Sequence, residues 1–117
     1  MHCPKCDADT ENISCQHITV DRCKQCKGIW FDLLEHEELK QIKGSECIDI
    51  GEPDTEINQD MQCPKCNVNM LLLSDPAHPQ VEYQKCPVCH GAYFDAGKFR
   101  LLKENAFSRL IRSIFKR

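Results

Sequence analysis

The hydrophobic and polar positions of the chain follow one pattern twice: a β-hairpin, a short strand and then a helix. In the first copy, residues 10–14 and 18–22 are predicted as the strands of the hairpin. In the second copy, the strands are predicted at residues 69–74 and 80–85. Residues 75–79, Asp-Pro-Ala-His-Pro, contain two prolines and are predicted to form an irregular, longer hairpin loop.

A short aromatic stretch follows each hairpin and predicts a third strand, at residues 28–31 and again at residues 91–94. Asp32 and Asp95 come directly afterwards, and Asp is a favoured residue at the N-cap of a helix. Each is therefore predicted to begin a helix.

The first predicted helix covers residues 33–43. Glu35 lies three residues after Asp32, which is the spacing of a capping box, and Gly44 is suited to stop the helix. The apolar stripe of this helix is modest and consists of Leu34, Leu39 and Ile42.

The second predicted helix is far longer and runs from about Ala96 to Ile114. Its apolar side chains form one broad stripe, with a basic cluster on the opposite side. The stripe consists of Phe99, Leu102, Ala106, Phe107, Leu110, Ile111 and Ile114, and the basic cluster of Arg109, Arg112 and Lys116. The apolar side is expected to pack on the other module, on the same helix of a second chain, or on an outside partner or membrane surface.

Residues 45–61 separate the two copies. They contain six acidic residues and no Lys or Arg, and Gly51 and Pro53 break any long element. This stretch is predicted to be a solvated acidic linker, in which residues 47–50 could add one edge strand.

Eight of the ten cysteines form four Cys-x-x-Cys pairs, which combine two by two. Sixteen residues separate the first pair from the second, and nineteen separate the third from the fourth. Both gaps lie in the range of four-thiolate zinc sites, so two structural zinc ions per chain are predicted, each bound independently of the other. The predicted ligands are Cys3, Cys6, Cys23 and Cys26 for the first ion and Cys63, Cys66, Cys86 and Cys89 for the second. A rubredoxin-type iron centre uses similar pairs and is the main alternative.

The residue after each Cys-x-x-Cys pair is expected to take a positive φ. Asp7, Asn67 and His90 occupy three of these positions and belong to the residue types that tolerate that conformation best. Lys27 occupies the fourth and is the least natural of the set.

Length and charge limit the possible classes of protein. Each half of the 117-residue chain is too small to fold by apolar burial alone, so metal is expected to hold it together. The formal charge of −3 becomes about −7 with two four-thiolate zinc sites, which argues against indiscriminate phosphate binding. The first residues lack the features of a signal peptide and no window approaches a membrane span, so a reducing cytoplasm is expected.

The remaining chemistry is sparse. Cys15 and Cys47 lie outside the pairs and are interpreted as small apolar core side chains. No paired catalytic carboxylates, nucleophile–base set or Gly-rich phosphate loop is present, so an enzyme is not expected. The aromatic pairs of the two short strands are interpreted as packing around the metal sites, with base stacking as the alternative. They are Trp30, Phe31, Tyr93 and Phe94.

These motifs resemble the transcription-factor-IIB-type zinc finger of many small bacterial proteins. The resemblance rests on Cys-Pro-x-Cys, a short hairpin, and Cys-x-x-Cys-x-Gly-x followed by two aromatic residues and Asp, and it covers residues 1–43 and 62–103. It implies a zinc-ribbon fold with zinc as the ligand, and a loose association with transcription or macromolecular assembly.

Two positions depart from the usual pattern of that family. Lys27 and His90 replace the glycine that usually follows the last cysteine. Leu34 replaces a later glycine, which Gly97 keeps. The departures leave the cysteines intact.

The sequence thus predicts a small, metal-stabilised α+β protein of two tandem zinc ribbons with a long C-terminal amphipathic helix. The predicted divisions are residues 1–44, an acidic linker at 45–61, and residues 62–117. The leading function is a cytoplasmic, non-catalytic adaptor that binds a protein. Nucleic-acid binding through Arg109, Arg112 and Lys116 is the alternative, a rubredoxin-like electron carrier is a third, and the C-terminal helix could form a homodimer.

Overall fold

The computed structural model describes residues 1–53 and 60–103. They form a small α+β fold with one antiparallel sheet and short helices. The strands are β1 Thr10–Cys15, β2 Ile18–Cys23, β3 Ile29–Phe31, β4 Leu71–Asp75, β5 His78–Lys85 and β6 Ala92–Phe94. The helices are α1 Glu35–Lys40 and a 3₁₀ helix, Ser45–Ile48, and residues 98–103 are also helical. As labels for the two halves of the sheet, we call residues 1–44 the first ribbon and residues 60–103 the second ribbon, after the predicted arrangement.

The two ribbons join edge to edge in one six-stranded sheet of order β1-β2-β3-β6-β5-β4. At the centre β3 pairs with β6, and Trp30 lies opposite Tyr93. Ile29 pairs with Phe94 and Phe31 with Ala92, so each ribbon presents the same positions to the other. The sheet therefore has an approximate twofold relation about the Trp30–Tyr93 pair.

The helices cover one face of this sheet, and each helix packs across the junction onto the other ribbon. His36 of α1 lies 5.3 Å from Tyr83 and 5.5 Å from Phe94, between ring centroids. Phe99, from the helical residues 98–103, lies 5.2 Å from Phe31 in the same way. The core consequently mixes both ribbons and consists of Ile18, Val20, Ile29, Phe31, Leu39, Ile48, Val81, Tyr83, Ala92, Phe94, Phe99 and Leu102.

The predicted hairpins form, but the irregular loop at residues 75–79 is wrong. Both hairpin turns contain two residues, and β5 begins at His78 with Pro79 inside it. The register shifts here: Ser74 pairs with Glu82, whereas the next residue, Asp75, pairs with His78. The three additional residues of the second ribbon are thus absorbed by an irregularity within β5, where proline's missing N–H is tolerated.

The predicted N-caps Asp32 and Asp95 are not where the helices begin. α1 has Leu34 as its N-cap residue, with φ 62° and no side-chain hydrogen bond, and it ends at Lys40. Half of the expected capping box is present, because the Asp32 N–H donates to Glu35 Oε1 at 2.8 Å. Gly44 has a positive φ of 85° as expected, but it precedes the 3₁₀ helix and does not terminate α1.

The linker is only partly solvated along residues 45–53, and no edge strand forms at residues 47–50. Ser45, Ile48 and Asp49 are buried. Asp49 accepts the N–H groups of Gly97 and Arg100 at 2.8 and 2.9 Å. This linker residue therefore caps the N-terminus of the helical residues 98–103. Burial nevertheless raises the pKa of this carboxyl, against the effect of its N–H donors.

The long C-terminal helix is supported only over residues 98–103, where Phe99 and Leu102 are buried as the predicted stripe requires. The rest of the prediction, with Arg109, Arg112 and Lys116, lies outside the described residues. Among the residues that the structure describes, no helix is long and apolar enough to cross a membrane.

Candidate metal centres

Each Cys-x-x-Cys pair lies in a tight turn whose backbone N–H groups point at sulfur. Asp7, Lys27, Asn67 and His90 follow the pairs and all have the predicted positive φ, between 56° and 67°. The Cys23 sulfur, for example, accepts the N–H groups of Gln25 and Cys26 at 3.4 and 3.3 Å. These contacts favour the thiolate form, which is the form that binds metal.

The structure brings the eight paired cysteines into the two predicted groups. Within each group the four sulfur atoms lie within 4.8 Å of one another. Cys3 and Cys26 are 3.7 Å apart between sulfurs, Cys6 and Cys23 3.4 Å, and Cys63 and Cys89 3.7 Å. We call the Cys3, Cys6, Cys23, Cys26 group the first site and the Cys63, Cys66, Cys86, Cys89 group the second site.

These separations fit zinc. A regular tetrahedron with Zn–S bonds of about 2.3 Å has sulfur–sulfur edges of about 3.8 Å. The measured separations are far longer than a disulfide bond of about 2.05 Å. All four positions in each group are protein thiolates, which is the closed arrangement of structural zinc sites. Each group is thus suited to one zinc ion.

Each ribbon places one aromatic side chain against the Cys-x-x-Cys-x-Gly segment of the other ribbon. A Cβ atom on Gly28 would lie 1.9 Å from the Tyr93 hydroxyl oxygen, and one on Gly91 would lie 2.1 Å from the Trp30 ring. Glycine is required at both positions because the ring from the other ribbon occupies the space. Trp30 and Tyr93 are both buried in a cluster that contains cysteines of both sites.

The Tyr93 hydroxyl reaches the first site from the second ribbon. Its oxygen lies 3.3 Å from the Cys26 sulfur and 3.7 Å from the Cys3 sulfur. Hydrogen bonds from Cys3 and Tyr93 lower the pKa of Cys26, although burial opposes this. This contact could not be predicted from the sequence, because it depends on how the two ribbons pair.

Two lysines also cross the junction. Lys5 Nζ lies 3.0 Å from Asp95 Oδ1, and Lys65 Nζ lies 2.5 Å from Asp32 Oδ1. Both lysines occupy the same position of the Cys-Pro-Lys-Cys turns, and both aspartates end the short strands. Each lysine and each aspartate occupies the same place in its copy of the repeat. The sequence analysis interpreted the two aspartates as helix caps and did not pair them with the lysines.

The four predicted aromatic residues are packing residues. Trp30, Phe31, Tyr93 and Phe94 are at most 2% exposed, so none presents a face for base stacking. The stacking alternative is therefore wrong for these side chains.

The two additional cysteines differ from each other. Cys15 is partly buried and packs against the helix-covered core, as predicted. Cys47 is exposed, so its interpretation as a core residue is wrong. Within residues 1–53 and 60–103, neither belongs to a group with metal-binding geometry.

His36 was not assigned a role from the sequence, yet it is part of the shared core. It is 4% exposed, and its Nε2 lies 3.2 Å from Glu37 Oε1. Burial lowers the pKa of this imidazole. The equivalent residue of the second ribbon is Phe99, which contacts the same Phe94 ring.

The Cys-x-x-Cys turns, the three-stranded half-sheets and the closed thiolate groups are features of the zinc-ribbon architecture. Residues 2–42 match the sequence model of the TFIIB-type zinc ribbon, described as a transcription factor zinc-finger. The match covers the first site and ends before the second. No curated protein and no solved structure matches the chain significantly.

Proposed function

We propose that this protein is a non-catalytic adaptor in which two structural zinc ions hold an interaction surface in place. The observation that carries the proposal is the closed set of four thiolates at each site, which leaves no position for a substrate or water. We also propose that residues 62–103 are a second copy of the zinc ribbon matched by residues 2–42. The shared register about Trp30 and Tyr93 supports this.

The edge strand β4 offers a surface for the partner. It begins Leu-Leu-Leu, and Leu71 and Leu72 are 52% and 48% exposed. The opposite edge, β1, carries Glu11 and Asn12 at the equivalent positions of the register. Proteins usually protect an exposed apolar edge strand, and an extended segment of another protein can pair with it. The proposed partner is such a segment, with apolar side chains.

A charge on this edge tests the proposal. Leu72→Lys is expected to abolish retention of the partner in a pull-down from native lysate, because it places an ammonium group within the apolar contact. The matched control is Asn12→Lys, which adds the same charge at the equivalent position of β1. Zinc content should stay at two ions per chain in both variants. Equal retention by both variants would contradict a partner on β4.

The alternatives are separated by simpler measurements. The basic residues on which nucleic-acid binding was predicted lie outside the described residues, as do residues 104–114 of the helix predicted for a homodimer. Salt-dependent retention on DNA or RNA would favour nucleic-acid binding. Visible absorption of the freshly purified protein would favour iron, because iron–thiolate centres are coloured and zinc is not. Cytoplasmic location stays a prediction from cysteine usage.

A further inference from the structure

The Tyr93 hydroxyl is a side-chain group of one ribbon placed on the metal site of the other. It lies within hydrogen-bond distance of the Cys26 sulfur, at 3.3 Å, and near the Cys3 sulfur, at 3.7 Å. The ring is 2% exposed, and Gly28 leaves the space that the hydroxyl occupies. Its position is therefore fixed by packing on all sides.

The second site has no counterpart of this hydroxyl among the described residues. Trp30 occupies the equivalent position, but its indole N–H donates to Asp32 Oδ1 at 3.1 Å. The second-site sulfurs accept backbone N–H groups, as the first-site sulfurs also do, for example from Val88 to Cys86 at 3.3 Å and from Gly91 to Cys89 at 3.4 Å. Two sites with the same ligands thus differ in one side-chain donor.

We propose that Tyr93 is a positioning residue for the first zinc site, donating its one hydroxyl hydrogen to the thiolate of Cys26, the nearer of the two sulfurs. The inference rests on the proposed zinc binding. Four thiolates around Zn²⁺ leave a net charge of about −2, which a hydrogen-bond donor stabilises. Residues that hydrogen-bond to metal ligands typically change metal affinity by about 10- to 100-fold when they are replaced.

Two consequences follow from this contact. The first site should release its metal more slowly than the second, and its thiolates should be less reactive towards electrophiles. The first site should also depend on the fold of the second ribbon, because Tyr93 reaches Cys26 only when β6 is paired with β3. This hydrogen bond is one-sided, since the Trp30 ring makes no equivalent bond to the second site, whereas the packing between the ribbons is reciprocal.

Pulse alkylation of the zinc-loaded full chain tests the proposal. The protein is mixed with EDTA and N-ethylmaleimide, and modified cysteines are assigned by peptide mass spectrometry. In the wild type, the second-site cysteines should be modified first. Tyr93→Phe keeps the ring and removes the hydroxyl, so modification of Cys3 and Cys26 should become about 10-fold faster while the second-site rate changes less than about twofold.

Tyr83→Phe is the matched control, since it removes a hydroxyl from the same ribbon at a position stacked on Phe94. It should leave the order and the rates of modification unchanged. Unchanged first-site rates in Tyr93→Phe, or equal acceleration at both sites, would overturn the proposal. The zinc content of the wild type distinguishes a failure of the proposed function from a failure of the Tyr93 inference. A metal-free wild type would overturn the proposed function with it, whereas two zinc ions with unchanged rates would overturn this inference alone.

Discussion

The first and second ribbons hold the same cysteine pattern in different surroundings. Helix α1 of the first begins at Leu34 in a left-handed conformation with no side-chain cap. The second has Gly97 at that position, with φ 83°, and is capped by Asp49 from the preceding segment. The first site receives the Tyr93 hydroxyl, whereas the second faces an indole that bonds elsewhere. Thiolate spacing therefore defines a metal site, and the neighbouring ribbon determines how well that site is supported.

The comparison also shows that neither ribbon is complete by itself. Each supplies the aromatic ring, the lysine and the helix that cover the other, through Trp30 and Tyr93, Lys5 and Lys65, and α1 and residues 98–103. The sequence alone favoured two modules that bind zinc independently. The shared core indicates one cooperative unit instead.

Removing a ligand should have the largest effect. Cys26→Ser, or its counterpart Cys89→Ser, is expected to reduce zinc from two ions to fewer than one per chain under mild chelation, because loss of one ribbon uncovers the other. Binding of structural zinc contributes about 10–16 kcal/mol in isolated finger peptides, so the folded state should not survive the loss. Native mass spectrometry measures the content. A stable one-zinc species in both variants would restore the independent-module interpretation.

A smaller effect is expected from filling the space above the glycines. Gly28→Ala and Gly91→Ala should each lower the free energy of unfolding by about 1–3 kcal/mol, since the added methyl group collides with the Tyr93 hydroxyl or the Trp30 ring. Urea unfolding at fixed free zinc measures the change. Gly44→Ala has nothing within 4 Å of the added atom and serves as the control for backbone strain alone, at about 1–2 kcal/mol.

Substitutions of Asp49 and Asp32 test whether the N-termini of the two helices are stabilised differently. Asp49→Ala leaves the N–H groups of Gly97 and Arg100 without their acceptor and should destabilise the protein by about 1–2 kcal/mol. Asp32→Asn removes a half-exposed ion pair with Lys65 but keeps an oxygen that can accept the Trp30 indole N–H, and it should cost less than about 1 kcal/mol. Urea midpoints of the zinc-loaded proteins rank the two. The reverse order would show that Asp32 supports its helix more than its geometry indicates.

The smallest effect concerns pH. Burial lowers the pKa of His36 in the folded protein, so the unfolded chain binds its proton more readily. The stability associated with neutral His36 is present above the unfolded pKa of about 6.5 and declines as the pH falls below it. His36→Phe, which copies Phe99, should reduce the loss of stability between pH 7 and pH 6 by no more than about 1 kcal/mol. An identical pH dependence in both proteins would contradict this role.

The sequence predicted local structure better than it predicted the junction. The cysteine groups, the positive-φ positions and the hairpins depend on neighbouring residues and were predictable from spacing. Pro79 was misread because a strand irregularity accommodates a missing N–H as readily as a loop does. Asp49 was assigned to solvent because its partners, Gly97 and Arg100, are 48 and 51 residues away. The packing of Trp30 and Tyr93 against the opposite ribbon could not be predicted from neighbouring residues, since it depends on the pairing of β3 with β6.

Amide hydrogen exchange of Cys89→Ser tests most directly whether the two ribbons are one folding unit. The substitution lies in the second site, and the readout is protection in peptides that cover β1, β2 and β3 of the first ribbon. Because Phe94 and Phe99 pack on Phe31 of β3, and β3 is paired with both β6 and β2, protection there should fall together with protection in β5 and β6. Wild-type protection across the first ribbon, with its zinc retained, would contradict the shared fold.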